Sequence, residues 1–196
     1  MRTRIITDLD DVLVKSMPAF IYWLSKELGK RVHISDLLSS NPEEFFSKYG
    51  ITLTHASVDA QKQFFSDERN LENLKPYGAR LDRLNCSVIT GRGYEVEGVT
   101  KDWLRKNCRF EGVVIMTNWD SEYNHKKSDY ILRSSPDIYI DDNAQILAEI
   151  RAMDSERRTL LRLVTRPWNQ CSLRGIKDES YIKRVKGFQE AVSQGV

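Results

Sequence analysis

The chain of 196 residues is poor in cysteine and proline and has no excess of either charge. Its 3 cysteines are odd in number and lack the spacing of metal ligands, which argues against a disulfide framework and predicts reduced thiols in a cytoplasmic protein. The 30 basic and 28 acidic residues nearly cancel, so no dedicated nucleic-acid surface is expected. No apolar run approaches membrane-spanning length, and the chain opens almost directly on a predicted strand, so neither a membrane anchor nor a signal peptide is expected.

What the chain does have is a short apolar strand that runs directly into acidic residues. Residues 5–7, Ile-Ile-Thr, are all β-branched and mostly apolar, as in a buried strand, and Asp8, Asp10 and Asp11 follow where the strand should end. In open α/β sheets the ligand crevice lies outside the carboxyl ends of the strands. Crowded carboxylates repel each other unless a cation or a proton lies between them, and Mg²⁺ prefers oxygen ligands. The pattern favours a metal site; the alternative is an acidic turn that caps the next helix.

Strands and helices alternate over the rest of the chain. Further apolar strands are predicted at residues 86–90, 113–116, 138–140 and 160–164. A helix is predicted around Leu81 and Leu84, and a last one over residues 181–192. Helices between successive strands imply right-handed βαβ units and a parallel sheet. The predicted fold is therefore α/β, with a Rossmann-like parallel sheet.

The first strand is followed by helices instead of a second strand. Apolar spacing and capping residues predict helices at about 16–28, 42–50 and 54–65. Because these helices interrupt the alternation, we expect a small helical cap inserted after the first strand. The predicted units are an α/β core of residues 1–14 and 78–196 and a cap of residues 15–77.

Polar side chains recur at the predicted carboxyl ends of other strands. Thr90 ends the second strand, and Asp141 and Asp142 end the fourth, at the same edge of a parallel sheet as the first acidic group. Each has a plain structural interpretation: Thr90 as the end of a strand, Asp142 or Asn143 as a helix cap, and Lys126 and Lys127 as a solvated pair. Those interpretations do not explain why carboxylates, a hydroxyl and a cation follow one another in the order that a phosphate site needs.

That order resembles the haloacid-dehalogenase-like phosphatase superfamily, and the resemblance covers nearly the whole chain. The sequence Asp-Leu-Asp-Asp-Val-Leu at residues 8–13 is similar to the first motif of the superfamily. Val-Ile-Thr-Gly-Arg at 88–92 is similar to the second, and Ile-Tyr-Ile-Asp-Asp at 138–142 to the fourth. Lys127, or alternatively Lys126, matches the third.

The resemblance implies a Mg²⁺-dependent phosphomonoesterase that works through an aspartyl-phosphate. A carboxylate nucleophile divides a difficult displacement into two easier steps, and Asp8 would be that nucleophile. Asp10 would protonate the leaving oxygen and then activate water. Thr90 would donate to a phosphoryl oxygen, and Lys127 would balance charge on Asp8 and the transferred group. The implied metal ligands are Asp8, the Asp10 backbone carbonyl and Asp141, with Asp142 orienting the metal or its waters.

The implied substrate is a small phosphorylated molecule, first of all a nucleotide. An insertion after the first motif, the aromatic pair Phe45 and Phe46, and the Arg-Pro-Trp-Asn run at 166–169 resemble 5′(3′)-deoxyribonucleotidases. A nucleobase would stack on Phe45, Phe46 and Trp23, although the same rings could simply hold the cap helices together.

The residues after Thr90 favour a different substrate. Thr-Gly-Arg resembles the second motif of polynucleotide 3′-phosphatases, in which the planar fork of Arg92 would give a second phosphate contact. Lys126 is a further candidate for substrate binding. The alternatives are therefore a polynucleotide 3′-phosphatase that binds nucleic acid only through a phosphorylated end, a sugar-phosphate phosphatase, and a nucleotide- or phosphate-binding module without turnover. The sequence does not indicate an oligomeric state.

Overall fold

The computed structural model describes residues 3–33, 56–118, 123–154, 156, 158–170 and 181–194. Within these ranges six strands form one sheet in which every neighbouring pair is parallel. The strands are β1 (Arg4–Asp8), β2 (Asn85–Thr90), β3 (Val114–Met116), β4 (Ile138–Asp141), β5 (Leu160–Val164) and β6 (Ile182–Val185). Their order is β3-β2-β1-β4-β5-β6, so β1 lies between β2 and β4. The predicted Rossmann-like parallel sheet is confirmed.

Helices cover both faces of this sheet. They are α1 (Ser16–Glu27), α2 (Ala56–Ser66), α3 (Glu68–Glu72), α4 (Glu97–Cys108), α5 (Tyr123–Ser134), α6 (Ala144–Met153) and α7 (Phe188–Ser193). Ile5 packs with the apolar side chains of α1, α4 and α7, whereas its neighbour Ile6 packs with those of α6. Successive residues of a strand point to opposite faces, so both faces of β1 are buried. None of the helices in the described ranges combines the length and apolar character of a membrane span.

Two expectations about secondary structure are wrong. The segment predicted as one helix at 181–192 forms β6 and then α7, because Ile182 pairs beside Leu161 and extends the sheet. The helix predicted around Leu81 and Leu84 is absent from this described stretch. There the Leu81 amide donates to the carbonyl of Cys108 at the end of α4, and the chain forms an irregular connection that leads into β2.

Three helices of the described chain, α1 to α3, lie between β1 and β2 along the sequence. The segments that lead into and out of this insertion run side by side: the Lys15 amide donates to the Lys75 carbonyl, and the Tyr77 amide to the Leu13 carbonyl, both at 2.8 Å. The division into core and cap at residue 77 stays a prediction. The predicted helix at 42–50, with Phe45 and Phe46, lies outside the described residues.

An aromatic cluster joins α1 to α2. Phe20 and Trp23 of α1 and Phe64 and Phe65 of α2 have ring centroids 5.0 to 5.9 Å apart. Phe20, Phe64 and Phe65 are buried, and Trp23 is partly buried against them. Trp23 was one of the rings expected to stack on a nucleobase, and part of its surface is buried in the contact between α1 and α2.

Candidate active site

The carboxyl ends of the central strands bring the acidic residues together. Asp8 is the last residue of β1, and Asp141 is the last residue of the adjacent β4. Thr7 is in register with Ile140, so Asp8 and Asp141 follow at the same level of the sheet. Carboxylate oxygens of Asp8, Asp141 and Asp142 all lie within 4.8 Å of one another. Residues far apart in the sequence thus form one acidic cluster at the sheet edge.

Lys127 of α5 balances part of this negative charge. Its Nζ lies 2.6 Å from Asp8 Oδ1 and 3.5 Å from Asp141 Oδ2, and all three side chains are buried. The neighbouring Lys126 is exposed and does not share these two contacts. Because a buried ammonium at this distance attracts a carboxylate strongly, Lys127 is the lysine that the geometry links to Asp8.

The surroundings disfavour full ionisation of the cluster. Burial raises the pKa of Asp8 well above its ordinary value, against the opposing attraction of Lys127, and Asp141 raises it further. Burial and then Asp141 raise the pKa of Asp142 to about 7. One lysine does not neutralise three crowded carboxylates, so protons or a further cation must supply the rest. The cluster offers carboxylate oxygens alone, which is the donor chemistry that Mg²⁺ takes.

The Asp10 carboxylate accepts hydrogen bonds from residues that are not part of the acidic cluster. Arg92 donates from Nη2 to Asp10 Oδ1 at 2.7 Å and from Nε to Oδ2 at 3.1 Å, a bidentate pair. Ser16 donates its hydroxyl to Oδ1, and Thr90 donates to Oδ2 at 3.1 Å. Burial acts to raise the pKa of Asp10, but Arg92 and these hydroxyl donors outweigh it and leave the pKa lowered. The Asp10 carboxylate is therefore held as the anion beside the cluster.

This arrangement changes the interpretation of Arg92 and Thr90. Arg92 was expected to contact a phosphate, yet its side chain is only 1% exposed. Its Nε and Nη2 donate to Asp10, and its Nη1 donates to the Thr100 hydroxyl at 3.2 Å. The Thr90 hydroxyl, expected to donate to a phosphoryl oxygen, donates to Asp10 instead. Thr90 has one hydroxyl proton and would donate it to a phosphate only after releasing Asp10, whereas the Arg92 guanidinium is buried in its contacts with Asp10 and Thr100. Their roles at a substrate stay predictions.

Hydrogen bonds to α1 and to Arg166 fix Asp11 in the loop after β1. Asp11 has a left-handed backbone, with φ of 57°, and its carboxylate accepts from the Met17 amide at 3.1 Å in the first turn of α1. Arg166 donates from Nε to the Asp11 carbonyl at 2.6 Å. The alternative interpretation of the acidic run, as a helix cap, thus holds for Asp11 but not for Asp8 or Asp10.

Several partners of the acidic residues were missed at the sequence level. Tyr139 is buried in β4 and donates its hydroxyl to Asp141, two residues further on. Ser16, the first residue of α1, donates its hydroxyl to Asp10. Trp168 donates its indole N–H to Asp142 Oδ2 at 2.8 Å. The available signal for Tyr139 was its i, i+2 spacing from Asp141, since alternate strand residues share a face; no local pattern reveals the other two contacts.

Comparison with known proteins defines the fold but not the activity. No protein-family model and no curated protein matches the sequence. Among solved structures, the chain is similar to a protein from Lactobacillus plantarum provisionally named phosphoglycolate phosphatase, with a TM-score of 0.56 at 13% identity over 99% of this chain and 98% of the other. It is also similar to a haloacid dehalogenase-like family hydrolase from Streptococcus pneumoniae, with a TM-score of 0.54 at 14% identity over 84% of this chain and 85% of the other.

The fold is therefore that of the haloacid-dehalogenase-like proteins: a parallel six-stranded sheet with helices on its flanks. Two neighbours of this fold are a phosphatase by name and a hydrolase by name. At this level of identity the likeness extends to the fold alone.

Proposed function

We propose that this protein is a Mg²⁺-dependent phosphomonoesterase that works through an aspartyl-phosphate on Asp8. The observation that carries the proposal is the buried Asp8 carboxylate at the carboxyl end of the central strand, 2.6 Å from Lys127 Nζ and within 4.8 Å of oxygens of Asp141 and Asp142. A nucleophilic carboxylate needs nearby positive charge before an anionic phosphate can approach it. The cluster supports such a site because it joins a nucleophile, an ammonium and further acidic ligands.

Asp8 and Asp141 would hold the magnesium ion, and the Asp10 backbone carbonyl is the further ligand that the sequence resemblance implies. The resemblance gives Asp142 an orienting role, but its carboxylate lies within 4.8 Å of the other two and would be a ligand as well. When bound, Mg²⁺ neutralises charge on the carboxylates and on the phosphate. Lys127 would keep the Asp8 oxygen oriented and partly neutralised during substrate approach. Tyr139 would fix the side chain of Asp141 through its hydroxyl hydrogen bond.

The reaction would proceed in two displacements. An Asp8 oxygen attacks phosphorus and the bond from phosphorus to the leaving oxygen breaks, with a proton supplied by Asp10. Water then attacks the phosphorus of the aspartyl-phosphate, the bond to Asp8 breaks, and Asp10 accepts the proton from that water. The anionic state of Asp10 next to Arg92 supports its role as base in the second displacement. In the first displacement Asp10 has to take up a proton as the substrate arrives.

The substrate that we propose is a small phosphomonoester. A nucleotide is the first candidate, from the sequence resemblance to deoxyribonucleotidases. A small sugar phosphate or acid phosphate is the second candidate. It is suggested by the similar protein from Lactobacillus plantarum, which is named as a phosphoglycolate phosphatase and is matched over 98% of its length. The described aromatic rings favour neither, since Phe20 and Phe64 are buried against each other. A phosphorylated oligonucleotide end is the third.

A chromogenic aryl phosphate tests the reaction class. We expect the wild-type protein with Mg²⁺ to release phosphate from p-nitrophenyl phosphate, and Asp8→Asn to lose this activity by at least a thousandfold, because no nucleophile remains. The matched control is Asp102→Asn, which changes an exposed carboxylate on α4 that pairs with Arg105 and should retain wild-type activity. Wild-type turnover equal to that of Asp8→Asn would reject the phosphatase and leave a phosphate-binding module.

A substrate panel then separates the candidates. Nucleoside 5′- and 3′-monophosphates, phosphoglycolate, hexose phosphates and a 3′-phosphorylated oligonucleotide would be compared by kcat/KM. Preference for the mononucleotides supports the nucleotidase, and preference for phosphoglycolate or sugar phosphates supports the second candidate.

A further inference from the structure

The turn that follows β5 contacts the acidic cluster from the side. Residues Pro167–Asn169 form a short 3-10 helix directly after β5. Trp168 donates its indole N–H to Asp142 Oδ2 at 2.8 Å. Asn169 donates its side-chain amide to the backbone carbonyl of Asp142, also at 2.8 Å. One residue of the cluster is thus held by both its side chain and its backbone.

The same turn is itself fixed to the core. The Asn169 amide also donates to the Val164 carbonyl at 2.8 Å, and Asn169 Oδ1 accepts from the Arg166 backbone amide at 2.9 Å. Arg166 reaches back to the Asp11 carbonyl and lies 4.0 Å from the centroid of the Tyr77 ring. The turn therefore connects the loop after β1 with the acidic end of β4. These are the two segments that the proposed metal site joins.

We propose that Trp168 is a positioning residue for the metal site: its indole fixes the carboxylate of Asp142, and the turn at 166–169 thereby sets the affinity of the cluster for a divalent cation. The inference rests on the metal site of the proposed function. Asp142 follows the end of β4, where the strand no longer restrains its side chain, so a carboxylate there needs another support. Groups that orient metal-ligating side chains commonly change metal affinity 10- to 100-fold when they are removed.

Trp103 provides a matched control for the loss of an indole. It is buried on α4 and donates its N–H to the Leu74 carbonyl at 2.9 Å, so its hydrogen bond involves no residue of the acidic cluster. Trp103→Phe and Trp168→Phe therefore remove the same indole N–H, in the first case from a backbone carbonyl and in the second from a carboxylate. Only Trp168→Phe should alter cation binding if the indole acts through Asp142.

The experiment is calorimetric titration of Mg²⁺ into the metal-free wild-type protein and the two variants. We expect the Kd of Trp168→Phe for Mg²⁺ to rise at least tenfold and that of Trp103→Phe to stay within twofold of wild type. Activity gives a second measurement: Trp168→Phe should need at least tenfold more Mg²⁺ for half-maximal rate and should recover most of its kcat at saturating Mg²⁺. An unchanged Kd for Trp168→Phe would overturn the inference.

Indole N–H resonances test the same contact in the unaltered protein. The 4 tryptophans give four ¹⁵N–¹H indole signals, and the Trp168 signal is assigned from its loss in Trp168→Phe, or by elimination from the other three Trp→Phe variants. On Mg²⁺ titration we expect the Trp168 signal to shift more than the Trp103 signal. Equal or absent shifts would overturn the inference, whether or not Trp168→Phe folds.

These results separate the inference from the proposed activity. Mg²⁺ binding that weakens only in Trp168→Phe supports the inference even if no phosphomonoester is hydrolysed. Turnover with equal Kd values in all three proteins rejects the inference and keeps the phosphatase. A wild-type protein that does not bind Mg²⁺ rejects both the metal dependence and the inference.

Discussion

Replacing Arg92 by methionine should destabilise the protein strongly. The Arg92 side chain is 1% exposed and makes two hydrogen bonds to Asp10, while the Asp10 side chain is 19% exposed. Removing one member of a buried ion pair costs about 3–5 kcal/mol, because the other charge remains without its partner. Ser16 and Thr90 still donate to Asp10 in the variant, so we expect the lower end of this range, about 3 kcal/mol.

Urea unfolding, monitored by tryptophan fluorescence, measures this loss as a free energy of unfolding. In thermal unfolding of a domain of this size, a loss of about 3 kcal/mol corresponds to a fall in Tm of about 6–12 °C. The matched control is Arg133→Met, which breaks an exposed ion pair with Asp129 on α5, where Arg133 is 81% exposed. Such surface pairs contribute about 0–1 kcal/mol. Arg92→Met no more destabilising than Arg133→Met would refute the reasoning.

A double-mutant cycle identifies the partner. Asp10→Asn alone should also destabilise, because it leaves the Arg92 guanidinium buried beside a neutral amide. The double variant Asp10→Asn/Arg92→Met should lose less stability than the sum of the two single changes. Additive losses would mean that Arg92 acts through Thr100 or the Phe65 ring and not through Asp10.

The stabilisation by the Asp10–Arg92 pair should depend on pH, because the pKa of Asp10 is lowered in the folded protein. The stabilisation is fully present above the ordinary carboxyl pKa of the unfolded chain and is lost as the pH falls through the lower pKa of the folded protein.

Other predictions concern the acidic cluster. Tyr139→Phe should lower the free energy of unfolding by about 1.5–3 kcal/mol in urea melts, because Asp141 loses a buried donor; a loss below 0.5 kcal/mol would contradict this. Lys127→Met should lower the Tm of the metal-free protein more than that of the Mg²⁺-saturated protein, because a bound cation replaces part of the missing charge next to Asp8; equal shifts in differential scanning calorimetry would contradict it. Mg²⁺ binding should weaken as the pH falls from 8 to 6, because protons compete for Asp8 and for Asp142, whose pKa is about 7. Calorimetry in buffers of different ionisation enthalpy should detect the protons released, and a pH-independent Kd would exclude this competition.

The strands that form the site could be predicted from the sequence because their signals are local. A continuous apolar run ending in acids marks β1 and β4, and a parallel sheet places those ends at one edge. β6 was missed because Lys183 and Arg184 interrupt its apolar residues, and the spacing up to Val192 also fits a helix. Its pairing with β5 depends on the rest of the sheet, which no local pattern contains.

The pairing of charges could not be predicted in the same way. Arg92 lies two residues after Thr90, and the sequence permits its fork to meet either a phosphate or a carboxylate. The structure selects Asp10, 82 positions earlier in the chain, because the end of β2 lies beside the end of β1. Lys127 differs from Lys126 only by its direction on α5, since neighbouring residues of a helix point about 100° apart. Such choices follow from tertiary packing and are decided after the strands are in place.

The central position of β1 also determines when the site can form during synthesis. Ile5 pairs with Cys86 on one side and with Ile138 on the other, so the strand that carries Asp8 is made first and gains its second neighbour late. Until Lys127, Asp141 and Asp142 have left the ribosome, Asp8 has neither its ammonium nor its companion acids. A nascent chain that stops before β4 therefore lacks the assembled cluster, whatever the state of its first half.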